Sequence, residues 1–321
     1  MFRLSGRSLQ MNFQVKNAPR PFGAHLPGLA ERALLALTAA LPDTWLGLRL
    51  AILLRKPVMA YLAQRGHDAA LDVRRWGLAI RLHPLDNGCE KSLLFTPQMY
   101  EPAEFAELAH DIAAARRELR PFVFIDAGAN VGLFSLFVAA RTGPNARILA
   151  VEPEPGNLAR LTFNVASNPG LPIRPIALAL SEEEGEAAIT PNRHDRGGAR
   201  IHALTNRSAD DVVRVPCRPL LTLLRVQDIT AVDALKVDVG GMEDRLLTPF
   251  FREAPFSLWP KTILIQDSSH EWTTDLFALL AAQGYVISSR TKQNVVLRLT
   301  AQVANGTVSV TEMPSRVMAQ R

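Results

Sequence analysis

Short apolar runs that end in an acid or a glycine recur along the middle of the chain. They stand at residues 122–126, 146–151, 173–180, 232–238 and 263–265. Stretches with the apolar spacing of helices separate several of them. Apolar runs of this length that alternate with helices are typical of buried strands in a parallel sheet. The pattern therefore predicts an α/β fold with helices on both faces of one sheet.

Glycines punctuate the loop after the first run, which reads Asp126-Ala-Gly128-Ala-Asn130-Val-Gly132. Glycine lets a backbone approach a bound ligand closely, and the helix that follows offers free N–H groups to an anion. The G-x-G-x-x-G spacing of dinucleotide sites is absent. The loop resembles instead the S-adenosylmethionine (SAM) loop of class I methyltransferases. An ordinary strand-to-helix turn is the alternative interpretation.

An acid also follows the second run, where Glu152 precedes Pro153. Acids at the end of the second strand of such units commonly accept hydrogen bonds from ribose hydroxyls. The alternative for Glu152 is a solvated loop carboxylate. Because several strands end in an acid or a glycine, the pattern favours a shared cleft at the strand ends.

Four segments, taken in order, resemble the FkbM family of SAM-dependent methyltransferases. They are Tyr100-Glu101-Pro102, the loop 125–132, Val151-Glu152-Pro153 with Asn157 and Asn164, and Leu235-Lys236-Val-Asp238-Val-Gly-Gly-Met-Glu243. The resemblance implies a class I methyltransferase fold with a Rossmann-like sheet. It also implies SAM as cofactor and methyl transfer to a hydroxyl, often on a glycan or a secondary metabolite. By this resemblance the cofactor-binding residues are Asp126, Gly128, Asn130, Gly132 and Glu152.

Three acids of the family pattern are replaced in this chain, at Leu221, Gly240 and Gln266. All three positions belong to the acceptor side of the resemblance, so the predicted SAM site is unaffected. Two interpretations follow. The protein methylates an unusual acceptor, or it binds SAM without transferring a methyl group and acts as a scaffold or regulator.

Candidates for removing the acceptor's proton are Asp238, Asp267 and His270, at or just beyond the ends of the fourth and fifth strands. A positioned base typically contributes about 10²–10⁴-fold to a rate. An unperturbed imidazole titrates near ~6.5, which suits His270 to neutral pH, although the first turn of a helix is an equal alternative for this residue. Asp238 has the stronger position, but an unshifted carboxylate is a weak base.

Charge is unevenly distributed along the 321 residues, whose net charge is +5. The first 60 residues hold eight basic and two acidic side chains, so the remainder is close to neutral. A neutral catalytic region, with no Asn-Pro-Pro-Tyr type of loop, argues against a nucleic-acid methyltransferase. The basic arm predicts either peripheral contact with an anionic membrane or a solvated leader.

Cysteine usage is low, since Cys89 and Cys217 are the only two. They lie far apart, and no C-x-x-C or H-x-x-H spacing is present, so we expect no metal site. Low cysteine content is typical of a reducing cytoplasm.

Four regions are predicted: a basic arm with a helical extension (1–63), strands and an amphipathic helix before the core (64–120), the SAM-binding domain (121–300) and a loosely ordered tail (301–321). Pro42 and Asp43 divide the extension into two helices, with Asp43 as the expected cap of the second. Residues 73–82 suggest a strand or a hairpin that turns near Trp76 and Gly77. Residues 92–97 suggest a short strand or loop.

Overall fold

The structure, a computed structural model, describes residues 19–65, 69–190, 200–202, 212–304 and 307–310. Most of the predicted basic arm and more than half of the predicted tail lie outside the described residues. The helices are α1 (Leu29–Ala39), α2 (Trp45–Leu54), α3 (Lys56–Gln64), α4 (Gly88–Phe95), α5 (Pro102–Arg117), α6 (Leu133–Ala139), α7 (Pro155–Ala166), α8 (Leu220–Val226), α9 (Glu243–Glu253) and α10 (Leu276–Ala282). The strands are β1 (Leu71–Arg75), β2 (Leu78–Leu82), β3 (Val123–Ala127), β4 (Arg147–Val151), β5 (Ile173–Ile176), β6 (Ala179–Leu180), β7 (Gly185–Thr190), β8 (Arg200–His202), β9 (Val213–Arg218), β10 (Ala234–Val237), β11 (Thr262–Gln266), β12 (Tyr285–Arg290), β13 (Asn294–Leu299), β14 (Ala301–Ala304) and β15 (Thr307–Val310).

A seven-stranded sheet forms the centre, in the order β12-β13-β11-β10-β3-β4-β5. The five strands from β11 to β5 are parallel, and β13 runs antiparallel to β11. This order, with an antiparallel hairpin at one edge, is the class I methyltransferase arrangement that the sequence predicts. The strand order changes direction at β3: β4 and β5 lie on one side of it, and β10 and β11 lie on the other. Ligands of open α/β sheets bind at such switch points.

Both faces of this sheet are buried, and alternate residues of each strand point to opposite faces. Phe124 and Ile148 belong to one core cluster, together with buried residues of α5, α6 and α7. Ile125 and Leu149 belong to a second cluster, together with residues of α8, α9 and α10. The predicted α/β layering is therefore confirmed.

The N-terminal extension packs on the first of these clusters through Leu35, Val58 and Leu62. The extension contains three helices where the sequence predicts two. The side chain of Thr44, and not that of Asp43, caps α2 by accepting a hydrogen bond from the Gly47 amide. The expected role of Asp43 is therefore wrong by one residue.

Two further local predictions have opposite outcomes. The hairpin is confirmed, since β1 and β2 pair antiparallel around Trp76 and Gly77. The short strand or loop expected at residues 92–97 is wrong, because this segment ends helix α4. The side chain of Asn87 caps that helix by accepting from the Glu90 amide, a local signal that outweighs the apolar run.

A second, smaller sheet of four strands has the order β6-β9-β7-β8. The run at residues 173–180, predicted as a single strand, is divided between β5 of the large sheet and β6 of this one. The small sheet packs its own cluster around Ile189 and Val215. It brings Leu180 and Ile189 to one side of the cleft described below.

Gly132 stands at the start of α6, where this helix packs against α7 on one face of the sheet. Its φ is +85°, and a β-carbon added there would lie 2.4 Å from Cδ1 of Leu161, a fully buried side chain of α7. Close packing of α6 on α7 therefore requires glycine at this position.

We expect Gly132→Ala to lower the free energy of unfolding by about 2–4 kcal/mol, because it combines left-handed backbone strain with overpacking of the core. Chemical denaturation measures the loss. Gly143→Ala is the matched control: a β-carbon there meets no atom within 4 Å, so its effect should stay within about 0.5 kcal/mol. Equal stability of the two variants would contradict the packing role of Gly132.

Candidate active site

A cleft of about 400 Å³ lies at the carboxyl edge of the large sheet. Its walls come from the loop after β3, the ends of β4, β10 and β11, and the small sheet. Of the eight residues that the sequence nominates, six line this cleft: Gly128, Asn130, Glu152, Asp238, Asp267 and His270. The structure therefore brings the predicted cofactor and catalytic residues to one place. Asp126 and Gly132 do not line it.

The loop after β3 is fixed on two sides. The amides of Gly128 and Ala129 donate to the carbonyl oxygen of Val151, at 3.0 and 2.9 Å. Gly128 has a φ of +76°, and a β-carbon there would lie 1.8 Å from the Asp238 carbonyl oxygen. Any side chain at position 128 would therefore collide with the protein itself, so a Gly128→Val variant does not test ligand binding alone.

Glu152 forms a buried acceptor at the end of β4, with 5% of its surface exposed. Its Oε2 accepts from the Asn130 amide at 2.7 Å, and its Oε1 accepts from the Glu154 amide at 2.9 Å. Burial raises the pKa of Glu152 to about 7, and the two donated hydrogen bonds only partly oppose this rise. The carboxyl thus holds the glycine loop while it faces the cleft.

Beneath the cleft, Lys236 links the two central strands. Its Nζ donates to the Gly128 carbonyl oxygen at 2.9 Å and lies 3.5 Å from Asp126 Oδ1 and 3.6 Å from Asp238 Oδ2. Burial alone would lower the pKa of Lys236, but the charges of Asp238 and Asp126 outweigh it and raise the pKa. Lys236 therefore remains a cation and is not available as a base.

Asp126 is fully buried, and its Oδ2 accepts from the Ser135 amide and hydroxyl at 3.1 and 2.7 Å. These contacts tie β3 to the first turn of α6. The structure places Asp126 under the loop, where it orients Lys236 and the helix, and not in the wall of the cleft.

The three proposed catalytic residues occupy one side of the cleft but do not form one hydrogen-bonded unit. Asp267 Oδ2 lies 3.4 Å from Arg290, and His270 Nε2 lies 3.4 Å from Glu271 Oε1. The carboxylate beside His270 is therefore that of Glu271. The His270 side chain is 76% exposed and that of Asp238 is 38% exposed, so both are accessible to a substrate. His270 precedes α10 by several residues and does not form its first turn.

The replaced family acids have different surroundings. Leu221 is buried in the core on α8 and lies away from the cleft. Gly240 and Gln266 line the cleft. Gly240 has a φ of +70°, so a glutamate restored there would strain the backbone.

Glu243 maintains the shape of the loop after β10, which contains Gly240 and Gly241. The sequence does not reveal this role. Its Oε1 accepts from the amides of Val239 and Gly241, and its Oε2 accepts from Trp272 Nε1 at 2.8 Å. Burial raises its pKa, although all three donors act in the opposite direction. An acid at the start of α9 is expected for the helix dipole alone, but here it also closes the loop.

A second cavity, of about 50 Å³, adjoins the cleft and shares Gly128, Asn130, Asp238 and Gln266 with it. Glu101 and Glu104, at the start of α5, form its far wall. Tyr100-Glu101-Pro102 belongs to the family resemblance, but the sequence assigns these residues no role.

Within the described part of the chain, no cluster of three or more histidine, cysteine, aspartate or glutamate side chains is arranged to hold a metal ion. No helix in the same residues is long and apolar enough to cross a membrane.

The chain is similar to a methyltransferase of known sequence and, more weakly, to solved methyltransferase structures. Methyltransferase sdnD of Sordaria araneosa is 28% identical over an alignment of 228 residues, and the match covers 56% of this chain and 86% of that protein. Methyltransferase FkbM of Methylobacillus flagellatus KT is 17% identical with a TM-score of 0.36 and covers 76% of this chain. Precorrin-6y C5,15-methyltransferase of Geobacter metallireducens GS-15 is 13% identical with a TM-score of 0.35 and covers 64% of it. This chain covers 58% of the former structure and 88% of the latter.

The model of the methyltransferase FkbM domain matches residues 126–287, about half of the chain. The matched segment begins at Asp126 and includes the glycine loop, Glu152, Asp238 and the end of β11. The chain belongs to the FkbM methyltransferase family.

Proposed function

We propose that this protein is a SAM-dependent methyltransferase that acts on a hydroxyl of a glycan or a secondary metabolite. The observation that carries the proposal is the single cleft in which the glycine loop and Glu152 face Asp238, Asp267 and His270. The glycine loop and Glu152 suit a nucleoside cofactor, and the three other side chains suit proton transfer.

The residues of the cleft fit the cofactor in three respects. A volume of about 400 Å³ falls within the usual range for small-molecule sites. Glu152 lines the cleft with a carboxyl group, whose oxygens can accept hydrogen bonds from a ribose. The glycine loop allows a ligand to approach its backbone.

SAM, when bound, supplies a methyl group that is already electrophilic on its sulfonium. The chain must therefore exclude water, align the acceptor oxygen and accept its proton. Alignment alone can contribute several kcal/mol. His270, Asp238 and Asp267 are the groups available for the proton, and histidine is the side chain that most often acts as a general base.

Two other functions were open from the sequence. A SAM-binding scaffold without activity would not need a polar, accessible acceptor side, which this cleft retains in Asp238, Asp267 and His270. A nucleic-acid methyltransferase is disfavoured because the chain beyond residue 60 has one more acidic than basic side chain and so lacks the excess charge that phosphates require.

Glu152→Gln should weaken the binding of S-adenosylhomocysteine and of methylthioadenosine equally, by about 10- to 100-fold, because both carry the ribose and both lose charge-assisted hydrogen bonds. Isothermal titration calorimetry measures the two affinities. Glu182→Gln, an exposed acid of the chain, is the control and should change neither. Unaltered binding in Glu152→Gln would refute this assignment of the ribose site.

His270→Ala should lower the rate of methyl transfer by about 10²–10⁴-fold while the affinity for S-adenosylhomocysteine stays unchanged, since a base acts on the chemical step. The acceptor would first be identified as the glycan or metabolite that loses a methyl group when the gene is deleted. Complementation with His270→Ala is then compared with His110→Ala, an exposed histidine on α5. Full methylation by both variants would exclude His270 as the base.

The extension presents an apolar surface that the fold does not cover. Exposed apolar side chains of α1 and α2 are Leu29, Leu37, Trp45, Leu46, Leu48, Leu50, Ile52 and Leu53. In α2 the buried residues are Gly47 and Ala51, and Arg49 lies 4.7 Å above the Trp45 ring. Apolar patches of this extent mark interaction sites.

We propose that this surface contacts an anionic membrane, on the cytoplasmic side. The first 60 residues carry eight basic and two acidic side chains, so a second copy of the chain would bring the same charge to the contact, whereas acidic lipid headgroups complement it. Short helices that combine apolar and basic residues bind at the membrane interface.

The full chain should therefore float with vesicles that contain phosphatidylglycerol and not with pure phosphatidylcholine, and added salt should reduce the bound fraction. Trp45→Ser with Leu53→Ser should abolish flotation. Val226→Ser, which removes an apolar side chain that is 56% exposed elsewhere, should not. A different result would assign the surface to a second copy of the chain: the wild type does not float but self-associates, and the double variant does not self-associate.

A further inference from the structure

Three acids line the smaller cavity beside the cleft. Glu101 and Glu104 face it from α5, and Asp238 faces it from the end of β10. Among the described residues that line it, Lys236 is the only cation, and its Nζ already donates to the Gly128 carbonyl oxygen. The cavity therefore has more negative than positive groups.

Glu104 has an unsatisfied atom at this position. The residue is 1% exposed, and its Oε1 accepts from Thr291 Oγ1 and Asn294 Nδ2 at 3.1 and 3.0 Å. Its Oε2 is buried and has no hydrogen-bond donor. Because buried carboxylate oxygens without a donor are costly and rare, an N–H donor on a ligand would stabilise this oxygen and would also relieve the contact between the Glu104 and Glu101 carboxyl groups.

Glu101 adds a second acceptor in a strained position. Its φ is +48°, in the left-handed region that side chains avoid, and its Oε2 accepts from Asn294 Nδ2 at 2.5 Å. Burial, together with the charge of Glu104, raises the pKa of Glu101 to about 7. Backbone strain of this kind persists where the surrounding structure holds a residue for a task.

Size and connection limit what the ligand can be. A cavity of about 50 Å³ holds only a few water-sized groups, so it admits an ammonium group on its carbon atom but not a nucleobase. It opens beside Gly128, Asn130 and Asp238, which also line the large cleft. A ligand whose nucleoside end lies at Glu152 can therefore reach it with a short, flexible end.

We infer that Glu101 and Glu104 bind the α-ammonium group of SAM, at the amino-acid end of the cofactor. This inference rests on the proposed function. An ammonium group has three N–H donors and can satisfy Glu104 Oε2 and Glu101 together. The sulfonium of SAM has no N–H and cannot, so the amino-acid end and not the reacting sulfur belongs here.

The first test uses the wild-type full chain and calorimetry with three ligands: S-adenosylhomocysteine, its deaminated analogue and methylthioadenosine, which lacks the amino-acid part. Removal of the amino group should weaken binding by about 10- to 100-fold, the effect of a lost charge-assisted contact. Equal affinity for the first two ligands would overturn the inference and leave the proposed function intact. Failure of all three to bind would overturn the proposed function, and this inference with it.

The second test assigns the effect to residues. Glu104→Gln and Glu101→Gln should each weaken S-adenosylhomocysteine by about 10- to 100-fold and methylthioadenosine by less than about twofold. Glu107→Gln removes an acid of the same helix that pairs with Arg298 outside the cavity, and it should not change this ratio. A parallel loss of both ligands in Glu104→Gln, or no loss of either, would contradict the inference. Thermal melting verifies that the variants fold.

Discussion

The close approach of the β3 loop to the end of β10 is the constraint on which the site depends. Only a glycine at position 128 leaves room for the Asp238 carbonyl oxygen, which a β-carbon would approach to 1.8 Å. Lys236 secures the same contact from below, because its ammonium donates to the Gly128 carbonyl oxygen and lies between Asp126 and Asp238. The large cleft and the small cavity meet at this contact and share its residues.

The buried acids around this contact make the site suited to a cation. Lys236 offsets part of the charge of Asp126 and Asp238, but Glu101 and Glu104 remain on the far wall of the cavity. Burial raises the pKa of Glu101 and of Glu152 to about 7. An incoming ammonium group and ribose hydroxyls would stabilise both carboxylates and offset the cost of holding them away from water.

The parts of the fold that depend on local pattern could be predicted from the sequence. Apolar strands, the glycine loop and Glu152 each follow from periodicity and turn chemistry within a few residues. Short apolar runs are ambiguous between helix and strand, which explains the error at α4. The small cavity could not be predicted, because Glu101 and Asn294 are 193 positions apart and meet only in the folded chain. The exposure of His270 likewise depends on tertiary structure.

Of the three positions where family acids are replaced, Gly240 and Gln266 line the cleft and Leu221 does not, while the glycine loop and Glu152 remain in place. The most direct test of the proposed cofactor site is a crystal structure of the protein with S-adenosylhomocysteine. The account predicts the ribose hydroxyls within hydrogen-bond distance of Glu152 and the ammonium group between Glu101 and Glu104, with the sulfur facing the side of Asp238 and His270. A nucleoside bound outside the cleft, or an amino-acid end directed toward His270, would contradict it.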